Sequence, residues 1–270
     1  MRTLILTALL IVLSVQLFAQ KEEHWETYMA EIEHKPASIL VDMTPYEQGP
    51  NKLLPYLLIC GPKYIKLQNN GLPGFDQIPE LEKMLDAGDK ILTGVTSKIL
   101  LGTFTYNGER LNYYYIKDTA EIAKALGRLY KRKYPEAEYI CKMKYDPTWS
   151  AYREFLYPSE KNLNWIQNNK IINGLLQQGD SLKKPRDISF IWLFENESDR
   201  KKFSDFALSK HYQLQETKYM SKADFHYMLK LSVFSSVTPE AIDQITTELK
   251  TETLKYKAQY LGWMCKAITD

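Results

Sequence analysis

Four histidines and three cysteines are the side chains best able to bind a metal ion or carry a nucleophilic step in this 270-residue sequence. His24, His34, His211 and His226 form no H-E-x-x-H pattern and lack the close spacing of ligands on a zinc helix. Cys60, Cys141 and Cys265 form no C-x-x-C pair, and no protease signature surrounds any of them. Carboxylates offer a second chemistry: two of Asp42, Asp146 and Glu154, brought together, would make a general acid and base. Asp146, just before Pro147, is also well placed to cap a helix. There is no G-x-S-x-G elbow, and the glycines of "GPKYIKLQNNGLPG" lack the spacing of a phosphate or dinucleotide loop, so they read as turn formers. These patterns imply no catalytic residue, no metal and no cofactor.

Each cysteine lies in an apolar, strand-like setting, where a free thiol behaves as a small buried hydrophobe. The odd count excludes complete pairing. A Cys60 to Cys141 bridge within the first half is the alternative, which spacing alone does not establish. Aromatic residues supply candidates for binding. Strand alternation turns Tyr113 and Tyr115 to one face and Tyr114 to the other, and Trp192 and Trp263 lie on strands expected to be neighbours. Tyrosine and tryptophan suit protein interfaces as well as cores, so Tyr113, Tyr115, Trp192 and Trp263 are the candidate partner-binding aromatics.

The elements that would position these groups begin after a leader. "MRTLILTALLIVLSVQLFAQKEE" places Arg2 before an uncharged apolar run and then a small residue and polar positions, the three-part plan of a secretory signal peptide. Cleavage is expected after Ala19, before Gln20. The run is short for a bilayer core of ~30 Å, so an uncleaved anchor is the lesser alternative and no permanent span is expected after cleavage. The charge is +2, and removing residues 1–20 takes one of the 35 basic groups and none of the 33 acidic ones. Near neutrality leaves no electrostatic footprint for a phosphate backbone, so a nucleic-acid partner is not favoured. The clusters at Lys131 to Lys133 and Lys183-Lys184 read as a helix end and a charged linker.

"ASILVDM" and "LPYLLICGPKY" read as strands, and "GFDQIPELEKMLDAG" as a loop and a short helix ending near Gly88. In "KILLGTFTYNGERLNYYYIKD", Asn107-Gly108 between apolar runs predicts a β-hairpin with a type I′ turn. Asp118 with Glu121 predicts an N-cap before "AEIAKALGRLYKRKYP"; "AEYICKMKY" reads as a strand; Asp146-Pro147 opens a helix over "TWSAYREFLY". A further helix over "EKNLNWIQNNKIINGLLQQ" ends near Gly179, and the polar "GDSLKKPR" marks a boundary.

Beyond it, Ile188, Phe190, Trp192 and Phe194 share one strand face and Ile191 and Leu193 the other, so neither face looks made for water. Asn196 caps a helix; two strands turn around Ser221-Lys222; Thr238-Pro239 opens a helix; "QYLGWMCKAI" is the last strand. This order is ferredoxin-like βαββαβ, which closes as a four-stranded antiparallel sheet with both helices on one side. The expectation is an α+β chain: a signal peptide (1–20), an N-terminal mixed α/β sandwich with a β-hairpin (21–158), a helix and linker (159–184) and the ferredoxin-like domain (185–270). RNA recognition motifs share that order, but "YMLKLSVF" lacks their Arg/Lys-Gly-aromatic core.

Through "RDISFIWLFENESDRKKF" and "AQYLGWMCKAITD", roughly residues 185–270 resemble the regulator of ribonuclease E activity B family. Through "HWETYMAEIEHKPASILVDM", Gly71-Leu72-Pro73, "LLGTFTYNGERLNYYY" and "DPTWSAYREFLYP", the first half resembles a family of uncharacterised bacterial domains often found ahead of that module. The second resemblance implies binding without chemistry, since cytoplasmic members inhibit an RNA-degrading endonuclease by contact. Here Gly262-Trp263 is flanked by Leu261 and Met264 rather than by the acidic neighbours common in the family. The expected function is therefore that of a non-catalytic, exported regulatory protein, periplasmic or secreted, with an envelope protein as partner. The alternatives are an envelope enzyme with a carboxylate-based site, and a cytoplasmic ribonuclease regulator if the leader is not a signal.

Overall fold

The computed structural model describes residues 23–64, 68–221 and 224–269, so the cleavage point at Ala19 and Gln20 and the turn residue Lys222 lie outside the described residues. The N-terminal half is built on a six-stranded antiparallel sheet of β1 (Trp25–Ile32), β2 (Lys35–Asp42), β3 (Tyr56–Pro62), β4 (Lys98–Tyr106), β5 (Glu109–Ile116) and β6 (Tyr139–Tyr145), in the order β1-β2-β4-β5-β3-β6, with the one-turn helix α1 (Pro45–Gln48) between β2 and β3. The predicted hairpin joins β4 to β5, and Asn107 and Gly108 take φ of 42° and 90°, as a type I′ turn requires.

Alternation gives this sheet two buried faces. On one, Leu58, Cys60, Tyr114 and Ile116 meet Leu92 of α2 (Ile78–Thr93) and Ile122 and Leu126 of α3 (Ile122–Lys133). On the other, Tyr28, Ile39, Leu57, Tyr113 and Tyr115 pack with Trp149, Tyr152 and Leu156. The last two belong to a single π-helical turn, Ala151–Leu156, where the sequence suggested an ordinary helix.

Gly88 does not end α2. It is buried within the helix, because Leu81, Met84, Leu85 and Leu92 extend one apolar stripe past it. Glu121 sits at the N-cap of α3 with φ 60° and no side-chain cap bond; Asp118 instead accepts from the Ala120 amide in the loop before it. Gly61 lies against β5, where an added Cβ would fall 2.2 Å from the Arg110 carbonyl oxygen. Gly61→Ala is expected to cost about 1–3 kcal/mol by forcing the two backbones apart. Denaturant unfolding checks this, and an unchanged midpoint would show that the sheet yields there freely.

The C-terminal half follows the predicted βαββαβ order: β7 (Arg186–Phe194), α5 (Glu197–Ser209), β8 (Gln213–Tyr219), β9 (Tyr227–Ser235), α6 (Pro239–Thr253) and β10 (Ala258–Met264). Its antiparallel sheet has the order β10-β7-β9-β8, with the first and last strands paired as expected. Side-chain caps set its helices: Asn196 accepts from the Asp199 amide at 2.9 Å, and Thr238 from the Ala241 amide ahead of Pro239.

Helix α4 (Glu160–Gln177), capped by Ser159, joins the halves. Ile166 enters the N-terminal core, while Ile172 and Leu175 enter the C-terminal one. Against α6, the Asn164 and Asn168 amides donate to Thr246 Oγ1 at 2.9 and 2.8 Å. After α4, Asp180 and Arg186 form a buried ion pair at the root of β7, which Ile268 and Lys266 join through their backbone.

Candidate interaction surface

The sheet of the C-terminal half has two unlike faces because both helices of a βαββαβ unit lie on one side. Toward α5 and α6, Ile188, Phe190, Trp192 and Phe194 of β7 are fully buried with Leu229, Leu231, Phe203, Ile242 and Leu249. The other side carries Ser189, Ile191 and Leu193, whose register partners on β9 are Ser232, Lys230 and Met228. Ile191, Leu193 and Met228 are partly exposed and join none of the buried clusters.

Around this apolar centre, Met264 of β10, opposite Ser189, is 51% exposed, and Phe234 of β9, opposite Asp187, is 67% exposed. Leu261, in the β-bulge between the Tyr260 and Gly262 pairings, is 52% exposed. Lys230 stands directly opposite Ile191 within this face, and Asp187, Glu216 and Lys218 add charge of both signs around it. Partly exposed apolar side chains among charges of both signs make this face the candidate interaction surface. The expectation that neither face of β7 is open to water is thus corrected: alternation places Ile191 and Leu193, but among the described elements no helix is positioned over them.

The four aromatics expected to meet a partner are elsewhere. Tyr113, Tyr115, Trp192 and Trp263 are all buried, so this expectation is corrected too: no partner can reach them without unfolding their layer. Tyr115 stacks on Trp149 with ring centroids 4.7 Å apart and donates its hydroxyl to Asp146 Oδ2. Trp192 donates its indole N–H to Thr253 Oγ1 at 3.0 Å. Trp263 donates to Asn168 Oδ1 at 2.9 Å, which fastens β10 to α4. The open-face residues Ile191, Leu193, Met228 and Phe234 carry no sequence signal of exposure, since apolar side chains on a strand read as core.

The carboxylates considered for catalysis have other employment. Asp146 is buried, and burial alone would raise its pKa. The Tyr115 hydroxyl, the Ala151 and Ser150 amides and the Ser150 hydroxyl outweigh this and hold it at about 2. It therefore stays ionised and organises the turn into the π-helical segment. Asp42 accepts from the Thr44 amide at 2.9 Å, and Glu154 is exposed. His24 lies beside Glu26 and Lys170, and His226 beside the Met220 carbonyl, so the histidines do not converge. Among the described residues no group of three or more His, Cys, Asp or Glu side chains is placed to hold a metal ion. A cleft of about 360 Å³ between α4 and α6 is lined by Glu160, Lys161, Asn164, Lys250 and Tyr260, a single carboxylate among cations and neutral groups. No described helix is long and apolar enough to cross a membrane.

Residues 23–157, half of the chain, match the Family of unknown function (DUF695). The chain belongs to the DUF695 family. In this DUF695 protein, residues 165–265, which include the domain with the open sheet face, match Regulator of ribonuclease activity B. The comparison with curated proteins finds no match. Among solved structures, the DUF695 chain is similar to a candidate glycine cleavage system transcriptional repressor at 8% identity and a TM-score of 0.22, over 78% of this chain and 98% of that one. It is similar also to an unknown protein from Galdieria sulphuraria at 10% identity and a TM-score of 0.20, over 79% and 98% of the two chains. At these scores neither bears on fold or function.

Proposed function

We propose that this DUF695 protein is an exported, non-catalytic regulator that acts by docking another protein on the open face of its C-terminal sheet. The observation that carries this reading is the partly exposed apolar centre formed by Ile191, Leu193 and Met228, with Met264 diagonal to Ile191 and Phe234 further along β9. The match to Regulator of ribonuclease activity B supports a role exercised through contact with a protein rather than through chemistry. The apolar leader with its Ala19-Gln20 end supports export, and with it a partner in the envelope.

The test is in vivo cross-linking of the full chain followed by mass spectrometry, repeated on an Ile191→Asp/Leu193→Lys double variant. Charges placed at the centre of an apolar interface cost several kcal/mol to desolvate, so cross-linking is expected to fall by about thirtyfold or more. The unfolding midpoint is measured alongside, so that lost cross-linking counts only for a folded variant. Undiminished cross-linking by a folded variant would refute docking on this face. The family match favours a second reading, in which the partner is a cytoplasmic ribonuclease and the leader is retained. Fractionation of C-terminally tagged protein separates the two: an intact Met1 on cytoplasmic material supports the second, and an N-terminus at Gln20 outside the cytoplasm supports the first.

A further inference from the structure

Cys60 of β3 and Cys141 of β6 are directly opposite one another in the antiparallel ladder. Whether such a pair suits a covalent link depends on its phase, because opposed residues alternate between hydrogen-bonded pairs and closer non-hydrogen-bonded ones. Two hydrogen bonds fix that phase. At one end the Lys63 amide donates to the Glu138 carbonyl at 2.9 Å, one position beyond the Pro62 and Tyr139 pair. At the other, the Asp146 amide donates to the Pro55 carbonyl at 2.9 Å, one position beyond Tyr56 and Tyr145.

Counting inward from either end, Gly61, Ile59 and Leu57 fall in hydrogen-bonded pairs, and Pro62, Cys60 and Leu58 in the others. Proline, having no N–H, agrees with this assignment. Cys60 and Cys141 thus form a non-hydrogen-bonded pair, whose Cα atoms stand roughly 4.5 Å apart, inside the 4.4–6.8 Å range that disulfides span. Both side chains lie on the sheet face covered by α2 and α3, in the cluster with Leu58, Tyr114 and Met143.

We propose that Cys60 and Cys141 form a modification site that closes to a cross-strand disulfide, while Cys265 remains a free thiol. Both cysteines are free in the structure. Cys265 follows β10 and packs with the C-terminal core, on the other sheet system.

The oxidant is a small-molecule disulfide such as oxidised glutathione. Cys141 is the entry point, since it is partly exposed on an edge strand whereas Cys60 is buried. Its thiolate attacks one sulfur of the small disulfide, that S–S bond breaks, and one glutathione leaves as thiolate. Cys60 then loses its proton and attacks Cys141 Sγ, releasing the second glutathione. Two protein thiols are oxidised by two electrons, one small disulfide is reduced, and the two thiol protons end on the two glutathiones. Burial raises both cysteine pKa values, and for Cys60 the neighbouring Cys141 adds to it. Both steps need a thiolate, so closure should be slow at neutral pH and faster as pH rises.

The test uses the reduced full-length protein, equilibrated folded with oxidised glutathione, alkylated and digested for mass spectrometry. The expected result is a Cys60 to Cys141 linked peptide pair with Cys265 alkylated, unchanged in Cys265→Ala and lost in Cys141→Ser. The same oxidation in denaturant should scramble the pairing among all three cysteines, showing that the sheet register makes the selection. Because a serine in this buried sheet layer perturbs packing, unfolding of the wild type is also compared in its two redox states; the oxidised midpoint should be the higher. Three alkylated or glutathionylated cysteines in the folded protein, or a link through Cys265, would overturn the proposal.

Discussion

Asp180→Ala is expected to cost about 3–5 kcal/mol in denaturant unfolding, the range for removing one partner of a buried ion pair. The Asp180 side chain is fully buried and that of Arg186 nearly so. Besides Arg186, Asp180 accepts from the Leu182 amide through Oδ1 and from the Ile268 amide through Oδ2, both at 2.8 Å. Arg186 also donates to the Lys266 carbonyl at 3.0 Å and the Lys184 carbonyl at 3.1 Å. Alanine would leave a guanidinium buried without a counter-charge and two amides without acceptors. Asp180→Leu with Arg186→Met removes both charges and is expected to recover part of the loss, the two amides remaining without acceptors. A single-variant cost below about 1 kcal/mol would show that water screens the pair.

The same pair sets a pH dependence. The hydrogen bond from Arg186 holds the Asp180 carboxyl well below the usual carboxylate range, against a smaller opposing effect of burial. A folded pKa below the unfolded value of about 3.9 means that this stabilisation is complete above that value and fades as acid protonates the folded carboxylate. Wild type should therefore lose stability more steeply than Asp180→Ala below about pH 4. Parallel curves for the two proteins would contradict this.

Trp192→Ala is expected to be as damaging, at about 3–5 kcal/mol. Trp192 is fully buried, with ring centroids 4.9 Å from Phe203 and 5.1 Å from Tyr260, so truncation opens a cavity between the sheet and α5. Trp192→Phe separates packing from polarity. It keeps most of the volume and loses only the bond to Thr253, whose hydroxyl retains the Leu249 carbonyl at 2.7 Å. The phenylalanine variant should cost about 1 kcal/mol. Equal losses in the two variants would mean that the indole N–H, not its volume, holds the domain.

Much of this fold is written locally. Asn107-Gly108 marked its hairpin because those residues favour the turn conformation it adopts, and the caps at Asn196 and Thr238 marked α5 and α6. Strand β1, "WETYMAEI", carries no turn signal of its own. Its hairpin to β2 turns through Glu33 and His34 at φ 49° and 61°, a conformation those residues do not advertise. Aspartate before proline was legible at Asp146 as a cap, but its bond to Tyr115, distant in sequence, was not.

The candidate surface was harder still, because period-two alternation tells which residues share a side and not whether another layer covers it. Ile191 is chemically close to the buried Ile188; only the placement of both helices on one side of the sheet separates their fates. Aromatic type misled for the converse reason: large rings are as useful inside as at a contact.

The way α4 is shared has a practical consequence for dissecting the molecule. Cutting after residue 158 strips Ile166 from the N-terminal layer, and cutting before residue 185 takes Ile172 and Leu175 from the other. Either fragment would carry a bare greasy seam and tend to clump, so the two sheet systems are best handled as one indivisible piece. For the same reason a tug on either sheet is transmitted along a stiff rod rooted in both.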